Sequence, residues 1–125
     1  MQVHVLAEAA TLDHTASAAT PYLLPVNSGW EEVSVFVNLE VGAGSEAVTF
    51  SAEGRLDDDG TWCALPLHDL SAAQDEDIQA ASKQLTADTN KALFQIKVWA
   101  PQVRINVRNT GQNDATLTMW AAVAD

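Results

Sequence analysis

Apolar and polar residues alternate with a period of two along much of this chain, the signature of strands with one face buried. In EEVSVFVNLEV, Val33, Val35, Val37, Leu39 and Val41 share one face, and Ser34, Phe36, Asn38 and Glu40 share the other. In AVTFSAEGRL, Val48, Phe50, Ala52 and Leu56 oppose Thr49, Ser51, Glu53 and Arg55. Val103, Ile105 and Val107 oppose Arg104, Asn106 and Arg108, and Leu117, Met119, Ala121 and Val123 oppose Thr116, Thr118, Trp120 and Ala122. Adding Gln2–Ala9, Tyr22–Val26, Thr61–Leu65 and Lys91–Trp99 predicts about eight short strands. Their spacing predicts an all-β fold, an antiparallel β-sandwich or jelly roll.

The connectors agree with that pattern. Gly42 to Ser45 and Asn109 to Asp114 read as loops, and Ala100-Pro101 separates two strands near a bend. Two stretches do not alternate. Residues 13–20 are small and polar and predict a flexible loop or arm. Residues 70–85 predict either a short surface helix or an irregular acidic loop. The helix would open on a capping box of Ser71 with Gln74 and carry Ile78, Ala81 and Leu85 along one stripe.

At 125 residues the chain suits one domain spanning 1–125. Its formal charge is −11, which argues against loose attachment to nucleic acid or to anionic lipid. Acidic excess also suits life at high salt. Fifteen of the seventeen acids lie in residues 1–90, whereas 91–108 hold Lys91, Lys97, Arg104 and Arg108 and no acid. A locally basic region on an acidic body can orient the protein on a partner or on a second copy. No apolar run approaches the roughly 20 residues needed to span a bilayer, and the start lacks the basic and apolar segments of a signal peptide. Cys63 is the only cysteine, and its setting beside Trp62 predicts an inert, partly buried thiol.

Candidate chemistry is thin. In LDDDGTW, Asp57 and Asp59 alternate as calcium ligands would, but Cys63 and Leu65 break the series and no glutamate closes it. Asp59-Gly60 is a hairpin signal, so the stretch reads as a turn. His4, His14 and His68 have no metal-ligand spacing. No nucleophile elbow, phosphate loop or dinucleotide fingerprint is present, so neither an enzyme nor a cofactor is expected.

The aromatics carry more weight. Trp62 follows a turn and is expected to pack near a sheet end. Phe36, Trp99 and Trp120 fall on the polar parity of their strands, so they predict outward rings. Such rings bury against another protein chain, form a second core layer, or stack on sugars. Arg104, Asn106 and Arg108 are candidates to share that face.

Taken together, VSVFVNLEVGAGSEAVTFSAEGRLDDDGTWCALP and VRINVRNTGQNDATLTMWAAVA resemble the small β-sandwich virion proteins of tailed bacteriophages. The shared features are a Val-rich strand with Asn, an E-G step, a D-G-x-W hairpin, a V-R strand and an N-T-G turn. The resemblance covers most of residues 30–124 and leaves the acidic 75–77 segment outside it. It implies a non-enzymatic capsid decoration or cement protein on the virion surface, bound to the major capsid protein and assembled as a homo-oligomer, with a trimer favoured. The expected contact residues are Phe36, Trp99, Trp120, Arg104 and Arg108. A carbohydrate-binding sandwich, and a head–tail or tail component, are the alternatives.

Overall fold

The computed structural model describes residues 2–25, 32–41, 47–70, 79–80, 82–86, 90–98 and 100–123, with the backbone alone for 79–80. The predicted loop at 42–45, the segment 71–78 and Trp99 lie outside the described residues. The described residues form eleven strands: β1 (Gln2–Leu12), β2 (Thr20–Leu23), β3 (Glu32–Val41), β4 (Val48–Arg55), β5 (Cys63–Leu65), β6 (Leu67–Asp69), β7 (Gln79–Ala80), β8 (Lys83–Leu85), β9 (Lys91–Lys97), β10 (Gln102–Asn109) and β11 (Ala115–Val123).

They form two antiparallel sheets. One has the order β1-β11-β3-β9-β6-β7. The other has the order β2-β10-β4-β5, with β8 sharing the outer side of β4 beside β5. The chain changes sheet at most connections, so β1-β11-β3-β9 faces β2-β10-β4-β5 as in a jelly roll.

The inward residues of both sheets form one core. Val33, Val35, Leu39, Phe94, Ile96, Leu117 and Met119 enter it from the first sheet, and Val48, Phe50, Val103 and Ile105 from the second. Phe50 and Phe94 meet across the gap with ring centroids 5.5 Å apart and planes tilted by 51°. Gly54 sits where a Cβ would lie 2.8 Å from the Ala100 Cβ and 3.0 Å from Leu65, so the strand needs a residue without a side chain there.

Three expectations need correction. The helix over 70–85 does not form in its described part: Gln79–Ala80 and Lys83–Leu85 are strands, and Leu85 is buried opposite Val48. Pairing with β4 and burial of Leu85 outweigh the local helical pattern. Leu56 is not on the inner face, because β4 ends at Arg55 and the next residue swings out, 73% exposed. Cys63 is exposed rather than partly buried, since β5 is an edge strand there.

One buried side chain fastens a corner of the sandwich. The Asn109 amide donates to the Leu12 carbonyl (3.0 Å) and to the Asn113 carbonyl (2.9 Å), while its oxygen accepts from the Gly111 amide (2.9 Å). This joins the end of β1 to the turn between β10 and β11. Asn109→Ala leaves those groups short of partners in a buried place, an expected cost of about 2–3 kcal/mol. A urea titration should show a lower midpoint with an unchanged slope.

Candidate functional site

The outer faces of the two sheets differ in chemistry. On the five-stranded sheet, pairing of β10 with β4 sets Arg104 opposite Glu53 and Gln102 opposite Arg55. Arg104 Nε and Nη2 both donate to Glu53 Oε1 (3.0 and 2.9 Å), and the Asn106 amide donates to the same oxygen. Arg55 Nε donates to Gln102 Oε1 (2.6 Å), whose amide donates to Asp58 Oδ1 (2.6 Å). Trp62 lies against both cations, its ring centroid 4.3 Å from the Arg55 guanidinium carbon and 4.1 Å from that of Arg104. It therefore covers the outer sheet face rather than capping a sheet end, in a double cation–π contact.

The LDDDGTW stretch is the turn that places Trp62. Asp57 Oδ1 accepts the Asp59 amide (3.0 Å) and the Asp57 carbonyl accepts the Gly60 amide (3.0 Å). Asp58 then reaches back to Gln102 and Arg55. Arg55, Arg104, Glu53 and Asp58 satisfy one another, so a partner docking here would have to break existing pairs. Arg108 lies farther along the same face, opposite Thr49, and is exposed.

The six-stranded sheet presents the opposite character. Direct cross-strand pairing aligns Leu93 with Phe36, Phe36 with Trp120 and Trp120 with Val5. These four apolar residues form an unbroken row across β9, β3, β11 and β1. Phe36 is 44% exposed and Val5 59%, while Trp120 and Leu93 are half-buried. Val3 extends the patch beside Ala122. Asn38 and Lys91 rim a shallow depression of about 420 Å³ against Phe36, Leu93 and Trp120. At one flank Glu32 takes hydrogen bonds from Lys97 and Gln95.

Phe36 and Trp120 are thus brought together as neighbours, but Arg104 and Arg108 stand on the opposite outer face of the sandwich. Side-chain parity tells which residues share a face within one strand; it does not tell which sheet the strand joins. That is why the sequence pattern grouped them.

The histidines lie apart. His4 is on the inner side of β1 opposite Ala121, and His68 is in β6 opposite Gln95. His14 meets Asp114, its ring nitrogen 2.7 Å and its backbone amide 3.1 Å from Asp114 Oδ1. Asp13 lies beside this pair, with candidate ligand atoms of the three side chains all within 4.8 Å. Its own Oδ1 accepts from the Thr15 hydroxyl (2.7 Å) and amide (2.8 Å). These bonds fasten the 13–19 connection between β1 and β2 to the turn after β10, a pairing no local spacing announces.

A family likeness would weigh on which face matters. No protein-family model matches the chain, and no curated protein matches it either. Among solved structures, the crystal structure of the SPBc2 prophage-derived protein YomS aligns over 98% of this chain and 92% of that one, with a TM-score of 0.51 and 17% identity. The chain is similar in fold to YomS. At that identity the likeness speaks for the jelly-roll sandwich and leaves the outer faces to be read from their own residues.

The pH dependence of the corner is set by its carboxylates. Hydrogen bonds from the His14 ring, then from its backbone amide, hold Asp114 below the ordinary aspartate value of 3.8. The Thr15 hydroxyl, then its amide, does the same for Asp13. A lowered folded-state value means stabilisation that is present above 3.8 and lost as pH falls through the folded value. Carbon-13 carboxyl titration should place both midpoints below 3.8, and His14→Ala should return that of Asp114 toward it.

Proposed function

We propose that this chain is a non-enzymatic structural protein of a phage virion, acting as a capsid decoration protein. It binds the shell built by the major capsid protein and adds contact between neighbouring shell subunits. The observation that carries this reading is the apolar row Leu93–Phe36–Trp120–Val5 on the outside of the six-stranded sheet. Contiguous exposed apolar surface on a chain of charge −11 marks a surface made to be covered. The likeness in fold to a prophage-derived protein supports a phage setting, and jelly rolls recur in viral shells. A rigid sandwich suits a role in which many copies each add modest contact energy to an assembled shell. Acidic charge disfavours nucleic acid as the partner, and neither a membrane nor a cofactor enters the proposal.

Co-sedimentation with capsids assembled from the shell protein of the same genome tests this. Saturable binding, with the capsids then resisting a higher temperature before coming apart, is the expected result. Absence of binding to capsids, together with binding to isolated tails or connectors, would move the chain to a head–tail or tail role.

One observation favours a second reading. Asn38 and Lys91 stand beside the Phe36 and Trp120 rings at an open depression, the aromatic-plus-amide combination that suits a sugar ring. A glycan array on which Trp120→Ala abolishes a specific signal would select this carbohydrate-binding reading, and a blank array would remove it.

A further inference from the structure

The apolar row ends on an open sheet edge. β1 is the outermost strand of the six-stranded sheet, bonded to β11, and among the described residues no strand lies on its other side. Sheet edges are normally blunted by charge, proline, a bulge or a twist, because their unpaired backbone groups recruit other strands. The later part of β1 has such protection. Its register shifts between Val5 and Ala7 and again between Ala7 and Ala10, Ala9 adopts φ 47°, and Glu8 is charged and exposed. The earlier part has none. Gln2 to Val5 pairs regularly with Val123 to Trp120, carries no acid and no proline, and exposes Val3 (62%) and Val5 (59%).

We propose that this edge pairs antiparallel with the same edge of a second copy, about a two-fold axis near His4. That register sets Val3 of one copy against Val5 of the other, both on the outer face, so the side-chain parity of the sheet is kept. The six strands of each copy then run as one sheet, and the two apolar rows become one surface.

The edge is its own complement, since Gln2 to Leu6 pairs antiparallel with Leu6 to Gln2 about His4, and charge decides where a second copy can approach. Two chains of −11 repel one another, and they can meet closely only where acids are absent from the junction. Gln2 to Leu6 is such a place, and Glu8 lies beyond the paired segment. Salt screens the long-range repulsion without weakening backbone hydrogen bonds, so the dimer tightens as salt rises. The pairing is independent of what the outer row docks against.

Sedimentation equilibrium of the full chain, at about 0.05 and 0.5 M salt, reads this directly. The expected result is a dimer whose association strengthens roughly tenfold at the higher salt, a gain of about 1.4 kcal/mol. The double variant Val3→Lys with Val5→Lys should be monomeric, whereas Phe36→Ser should remain dimeric. Amide hydrogen exchange of residues 2–6 in the unaltered protein should slow as its concentration rises, a readout that does not depend on the variant folding. A monomer at every concentration, exchange at 2–6 that ignores concentration, or a dimer lost in Phe36→Ser and kept in the lysine variant would overturn the proposal. So would a trimer whose stoichiometry the lysine changes leave untouched. Loss of capsid binding with the dimer intact would instead count against the capsid reading alone.

Discussion

Replacing Phe50 by alanine is expected to destabilise the fold by about 3–5 kcal/mol. Phe50 is fully buried in β4, and its ring meets Phe94 of β9 across the gap between the sheets. Truncation removes the apolar area that joins the two layers and leaves a cavity that the strands, held by their ladders, cannot collapse to fill. At this chain length the loss corresponds to a fall in melting temperature of roughly 10–20 °C. Calorimetry of the variant checks it. A fall of only a few degrees would mean that the sheets are not joined through this contact.

The second large effect is on binding and leaves folding nearly intact. Phe36→Ser combined with Trp120→Ser should weaken capsid attachment at least a hundredfold, because aromatic anchors at the centre of an interface contribute about 2 kcal/mol or more each. Both rings project from the outer face of the six-stranded sheet, paired directly across β3 and β11. Their loss costs the monomer only the cross-strand contact, about 1 kcal/mol. Binding isotherms beside thermal melts separate the two. Arg108→Ala, on the other outer face, should leave attachment unchanged in the same assay. Loss of attachment in the arginine variant, with the aromatic variant binding normally, would exchange the roles of the two faces.

What could be read from the sequence follows from what alternation encodes. β3, β4, β10 and β11 are each buried on one side, so their periods of two named the core residues almost one for one. The same logic placed Phe36 and Trp120 outward. It failed where strands are too short to show a period. β7 and β8, of two and three residues, fell inside a stretch that also fitted a helix. It failed again at Leu56, where the alternation ran on past the end of β4. Most consequentially, it could not assign strands to sheets, and so it joined Arg104 and Arg108 to a face they do not share.

The polar layer on the five-stranded sheet was hidden for a related reason. Trp62, Arg55 and Arg104 come from a turn, a strand and a distant strand, and only the pairing of β4 with β10 makes them neighbours. The three consecutive aspartates read as a turn in the sequence and form one: Asp57 builds it, and Asp58 closes a hydrogen-bond chain that no local pattern shows. Around Trp62 the charges of that face are matched among Arg55, Arg104, Glu53 and Asp58. The opposite face carries the apolar row that reaches an open edge, and the proposed capsid contact rests on it.

An electron cryo-microscopy map of capsids saturated with the protein tests this most directly. Sandwich density is expected on the shell surface, with the outer face of the six-stranded sheet, at Phe36 and Trp120, turned toward the capsid subunits. Density showing the Trp62–Arg104 face against the shell, or a capsid surface left bare at saturating protein, would contradict it.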